Sequence, residues 1–175
     1  MKELVAINKS EEMLELLEEC YIDTGKFLRV FLEDNFYVNF SQLHIKMLDL
    51  IDEVKDKKRV AICAPRGIGK TTLARGVAAK HICYADAKFI VYVSNSATSA
   101  ELQTENLKKD LLSPMIRHAF GDIRVREVGE VEESWSKKAW VAATAGGSHY
   151  TLVLPRGSGQ QIRGLLWKDP LGGNK

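Results

Sequence analysis

No stretch of this 175-residue chain stays apolar over the roughly 18 residues a membrane-spanning helix needs. The N-terminus also lacks the charged-then-apolar layout of a secretion signal. A cytoplasmic protein that does not span a membrane is expected. Cysteine is scarce: Cys20, Cys63 and Cys83 make an odd set with no metal-type spacing. That excludes a disulfide framework and predicts reduced, intracellular thiols. The four histidines (His44, His81, His118, His149) are scattered and suggest no zinc site. Internal repeats and low-complexity segments are lacking too. A last absence concerns chemistry: no strand-like run of about four apolar residues ends in an acid. Phe89–Val93 runs into Ser94-Asn95, Trp140–Ala143 into Thr144, and Thr151–Leu154 into Pro155-Arg156.

What is present is ordinary for a soluble domain, at 45% hydrophobic and 27% charged residues, and the length suffices for one real core. Net charge is +2, but residues 1–35 hold four basic and nine acidic side chains, a balance of −5 that leaves +7 for the remainder. Such an excess is compatible with a nucleic-acid partner. Lys108, Lys109, Arg124, Arg126, Lys137 and Lys138 are candidate contacts, although solvated charged faces look the same.

Along the chain, Ser10 caps an expected helix from Glu11 to about Cys20, with Met13, Leu14, Leu16 and Leu17 apolar. A second short helix falls within Tyr21–Tyr37, whose aromatics (Phe27, Phe31, Phe36, Tyr37) read as core packing. Ser41 caps a helix to about Val54, with Leu43, Met47, Leu48, Leu50, Ile51 and Val54 inward. Lys88–Ser94 reads as a strand buried on both faces. Thr98 or Ser99 caps a helix to Leu112, and Pro114–Phe120 makes another. Arg124–Val128, Trp140–Ala143 and Tyr150–Leu154 are strand-like, the last two joined by a turn at Ala145-Gly146-Gly147-Ser148. Glu130, Glu132 and Glu133 read as a solvated turn rather than catalytic carboxylates. Glycines then make Gly157–Gly164 a flexible loop with Arg163 at its far end, and the Pro/Gly-rich tail from Trp167 to Lys175 reads as a turn or frayed end.

The chemistry-bearing stretch is Arg59–Ala74, RVAICAPRGIGKTTLA. A short strand over Val60–Cys63, a glycine loop and a helix from Thr71 to about Tyr84 frame Ala64-Pro65-Arg66-Gly67-Ile68-Gly69-Lys70-Thr71, an A-x-x-x-x-G-K-T pattern. Gly67 and Gly69 let the backbone curl so that N–H groups face an anion. The helix adds the positive end of its dipole. Lys70 supplies a charge for the β- and γ-phosphates of ATP, and the Thr71 hydroxyl is placed to ligate Mg²⁺. Thr72 completes the phosphate-binding set. With Lys88–Ser94 following, a right-handed strand–helix–strand crossover is expected. Gln42, 28 residues before Lys70, has an amide that can read adenine or simply be solvated.

Four segments together resemble a family. They are Asn39-Phe40-Ser41-Gln42-Leu43-His44, the loop Ala64–Thr72, Ile90-Val91-Tyr92-Val93-Ser94-Asn95-Ser96, and Gly157-Ser158-Gly159-Gln160-Gln161-Ile162-Arg163-Gly164. Over about Phe36–Gly164 the chain resembles the N-terminal ATPase domain of the large terminase subunit of tailed bacteriophages. The resemblance implies an α/β fold, a P-loop NTPase of the additional-strand, RecA-like type, with a mostly parallel sheet flanked by helices. On that reading residues 36–175 are the ATPase core and residues 1–35 an N-terminal helical extension. It implies Gln42 at adenine, Arg66 as a γ-phosphate sensor in cis, and Arg163 as a finger toward a neighbouring subunit's ATP. It further implies double-stranded DNA, a portal protein and a small terminase subunit as partners. The setting would be a homo-oligomeric ring at the procapsid portal vertex in the host cytoplasm. Because no strand ends in an acid, the expected reading is a partial ATPase core that stops before the acidic strand and the nuclease domain, binding nucleotide with little turnover. A helicase-like nucleic-acid-dependent ATPase is the alternative, and a P-loop kinase or nucleotide-binding regulatory module a third reading.

Overall fold

The computed structural model describes residues 11–53, 60–124, 135–144, 147–165 and 167. The Ser10 cap, Val54, the turn at Lys55–Lys58, residues 125–128 of the expected strand, the carboxylates Glu130, Glu132 and Glu133, the Ala145-Gly146 half of the turn and the tail after Trp167 lie outside them. The described chain divides into two bodies, residues 11–80 and 81–167, with the division inside a single helix.

The first body is helical. α1 (Glu11–Ile22) has Glu11 and Glu12 in its first turn, where the positive helix end favours them, but only Leu17 and Cys20 of its stripe are buried. α2 (Thr24–Phe31) is capped by Asp23, whose carboxylate accepts the Lys26 N–H at 2.9 Å, and it buries Phe27, Leu28 and Phe31. A 3-10 turn (Glu33–Asn35) leads to α3 (Gln42–Glu53), which buries Met47 and Leu48 and leaves Leu43 exposed. Of the aromatics expected in the core, Phe27 and Phe31 are buried, whereas Tyr37 is 79% exposed. α4 (Lys70–Cys83) crosses the division.

Two contacts lock α4 to this body. A Cβ on Gly76 would lie 2.2 Å from Leu28 Cδ2 and 3.3 Å from the Phe36 ring, so glycine is what lets the elements approach. The buried Lys80 ammonium donates to Thr24 Oγ1 at 2.7 Å and lies 3.6 Å from Asp52 Oδ1. Thr24 in turn donates to Asp52 through its hydroxyl and, at 3.0 Å, through its N–H. The set ties α2, α3 and α4 around one compensated charge.

The second body is α/β. β1 (Phe89–Ser94), β2 (Trp140–Thr144) and β3 (His149–Gly157) form a sheet ordered β1-β3-β2. β1 pairs parallel with β3, and β2 pairs antiparallel. The sheet is therefore small and mixed rather than mostly parallel. β1 lies at an edge and is half-buried, with Val93 47% exposed, so its apolar run does not reflect burial on both faces. β2 is wholly buried. α5 (Ala97–Leu111) packs on β1 and β3 and is capped by Ser96, whose hydroxyl accepts the Ser99 N–H at 3.2 Å. The cap is earlier than Thr98 or Ser99 because a helix starts where a side chain first meets its free N–H groups. α6 (Pro114–Phe120) has Ser113 as cap and proline in its first turn. Arg124, the one described residue of the expected Arg124–Val128 strand, forms an isolated bridge with Ala142.

Lys108 is not a surface cation. Its ammonium donates to Glu105, to the Trp135 carbonyl at 3.1 Å and to the Ser136 carbonyl at 2.9 Å, and lies 5.5 Å from the Trp135 and Trp140 ring centres. It is removed from the candidate nucleic-acid contacts, while Lys109, Arg124, Lys137 and Lys138 are exposed and Arg126 lies outside the described residues. No described helix is long and apolar enough to cross a membrane.

Candidate phosphate-binding site

The glycine loop is built as its spacing demands at two positions. Gly67 has φ +84° and Gly69 φ +78°, a region that side chains with a Cβ rarely adopt. A Cβ at either would have no neighbour within 4 Å, so the backbone conformation, not crowding, requires glycine. α4 begins at Lys70, and its first bond to the loop runs from the Leu73 N–H to the Gly69 carbonyl at 2.9 Å. The N–H groups of its first turn have no carbonyl inside the helix to pair with, which is the usual anion-binding arrangement.

The strand expected before the loop is not formed. Val60–Cys63 has no ladder partner among the described residues, and Val60, Ala61 and Cys63 are exposed. Alanine and cysteine make half of this run, leaving little apolar area to hold it in a sheet.

Lys70 turns back on its own loop. Its ammonium donates to the Ala64 carbonyl at 2.6 Å and to the Pro65 carbonyl. Ile68 is held from outside the loop, its carbonyl lying 2.8 Å from His44 Nε2. The Ser41 N–H, which can only donate, reaches His44 Nδ1 at 3.1 Å. Nδ1 is therefore the bare nitrogen, and Nε2 carries the hydrogen that it donates to Ile68. Arg66 and Thr71 are exposed and Thr72 is half-buried.

Beside the loop lies an open cleft of about 170 Å³ whose walls include Phe36, Asn39, Phe40, His44, Gly69 and Thr72. Gln42, the first residue of α3, is exposed and does not line it. Phe36 and Phe40 lie 6.0 Å apart between ring centres, and Phe40 lies 6.0 Å from His44. Sequence reasoning alone places Phe36 in the core and leaves His44 as one of four scattered histidines. The Ser41–His44 spacing, one helical turn at an N-terminus, is the available signal for their hydrogen bond.

Arg163 belongs to the second body. It is exposed, before Gly164 at φ +76°, and its carbonyl accepts from Gln161 Nε2 at 3.3 Å. Gly157 is the last residue of β3, not part of a loose loop. A Cβ there would lie 2.7 Å from the Ala97 backbone nitrogen, and the Ser158 N–H donates to the Ser94 carbonyl at 2.8 Å.

Burial pushes the Cys20 thiol up to about 11 and raises that of Cys83 further, so neither is a nucleophile near neutral pH. Among the described residues no cluster of His, Cys, Asp and Glu could hold a metal. Comparison of the chain with family models, with curated proteins and with solved structures finds no match.

Proposed function

We propose that this chain is the ATP-binding portion of a viral genome-packaging motor, a large terminase subunit with a P-loop NTPase core. In the whole assembly ATP hydrolysis would drive double-stranded DNA into a procapsid. The observation that carries this reading is the loop itself: two glycines at positive φ open directly onto a helix whose first residue is a lysine. The adjoining cleft supports it, because Phe36 and Phe40 offer flat apolar walls and Asn39 an amide suited to a purine.

On this reading Lys70 leaves the loop carbonyls to bind the β- and γ-phosphates. The exposed Thr71 hydroxyl is a hard oxygen donor that suits Mg²⁺ bound together with phosphate oxygens. Arg66, within the loop, senses the γ-phosphate in cis, and Arg163 reaches the nucleotide of the next subunit of a ring. Portal protein and small terminase subunit complete the machine. None of the described strands ends in an acid, since β1 ends at Ser94, β2 at Thr144 and β3 at Gly157. The chain as given should therefore bind nucleotide with little or no turnover.

Calorimetric titration with magnesium and a non-hydrolysable ATP analogue tests the reading. Lys70→Ala is expected to weaken binding by at least about tenfold, the equivalent of one charge-assisted hydrogen bond. Unchanged affinity would refute it. DNA-stimulated hydrolysis by a longer chain, with duplex translocation rather than strand separation, would separate a packaging motor from a helicase-like ATPase.

A further inference from the structure

We infer that His44 is a positioning residue that holds the phosphate-binding loop from the start of α3, and that it acts as the neutral Nε2–H tautomer. The inference rests on the nucleotide-site reading for its consequence, but not for its geometry. Both ring nitrogens are committed. Nδ1 accepts the Ser41 N–H at 3.1 Å, with Ser41 Oγ 2.8 Å away, and Nε2 donates to the Ile68 carbonyl at 2.8 Å. Ile68 sits between the two glycines at positive φ, the residues with the most backbone freedom to lose. Fixing its carbonyl from another element removes part of that freedom before any ligand arrives, which is how preorganisation raises affinity. The imidazole also packs against Phe40, so its orientation is set by more than hydrogen bonds. A second constraint works from inside the loop, where the Lys70 ammonium bridges the Ala64 and Pro65 carbonyls. A phosphate recruits Lys70 and ends that constraint, whereas the His44–Ile68 bond can persist. In the occupied loop the His44–Ile68 bond is therefore a restraint that reaches the loop from another element.

Glutamine and asparagine separate the two halves of the ring. His44→Gln can present an amide N–H near the position of Nε2 and keep the bond to Ile68. His44→Asn keeps an acceptor for the Ser41 N–H but stops short of Ile68. His44→Leu removes both. The test uses the full chain in two arms. Amide hydrogen exchange over residues 66–73 is measured without nucleotide, and the affinity for magnesium with a non-hydrolysable ATP analogue is measured by titration. Asn and Leu should speed exchange in the loop and weaken the nucleotide by about five- to tenfold, the scale of one hydrogen bond, while Gln stays within about twofold of the parent protein. If Gln is as impaired as Asn, or if Asn and Leu match the parent protein, the assignment is overturned. If the parent protein binds no nucleotide, the nucleotide reading fails, and the exchange arm still decides whether His44 holds the loop.

Discussion

Lys70 is engaged by two carbonyl oxygens of its own loop, so an incoming phosphate must replace both contacts. Those contacts set a cation against carbonyl dipoles, whereas a phosphate offers full opposite charge, and that Coulomb attraction is why the exchange favours the anion. Other single residues carry independent expectations. Ala85 has φ +56° just after the last turn of α4, a conformation in which alanine is strained. Ala85→Gly should raise stability by about 0.5–1 kcal/mol, read as a higher denaturant midpoint at unchanged slope. Cys63 is exposed while Cys20 and Cys83 are buried, so a thiol reagent at pH 8 should label Cys63 quickly and the other two only on unfolding. The Cys20 shift also sets a pH dependence. Its thiol is raised from 9.0 to about 11 in the folded state, so its contribution is fully present below about pH 9 and lost as pH climbs toward 11. Cys20→Ala should flatten the alkaline fall in stability over that window.

At the scale of elements, Gly76 decides how closely α4 approaches α2. Alanine would improve helix propensity by about 1 kcal/mol. Against that, its Cβ would sit 2.2 Å from Leu28 Cδ2, and Leu28 is fully buried, so the leucine cannot swing into solvent. Overpacking of this kind costs about 1–3 kcal/mol, so Gly76→Ala should be destabilising on balance. A gain in thermal stability would mean the helices can move apart. Helices are the legible part of the fold. Glu11–Ile22, Gln42–Glu53, Lys70–Cys83 and Pro114–Phe120 follow from caps, apolar spacing and proline, which are local signals. Strand status is less legible because it depends on a distant partner. Phe89–Ser94 and Val60–Cys63 both read as strands, yet only the first has a ladder. The site divides the same way. The positive-φ glycines of the loop follow from its motif, whereas His44 meeting Ile68 across 24 residues depends on how α3 packs.

At the scale of the whole molecule, the structure is an α/β chain with a small three-stranded mixed sheet and a helical body that carries the glycine loop. Lys80, Thr24 and Asp52 make the charged link of that helical body. Asp52→Ala should cost about 2–4 kcal/mol, because it removes a carboxylate that faces a buried ammonium, while the Lys80→Met and Asp52→Ala double variant should recover part of the loss. A crystal structure with magnesium and a non-hydrolysable ATP analogue tests the central claim most directly. The account predicts the γ-phosphate cradled by Gly67–Thr71, with the Lys70 ammonium drawn away from the Ala64 and Pro65 carbonyls and onto the phosphate. An empty loop, at analogue concentrations that occupy other ATP-binding loops, with Lys70 still on those two carbonyls, would contradict it.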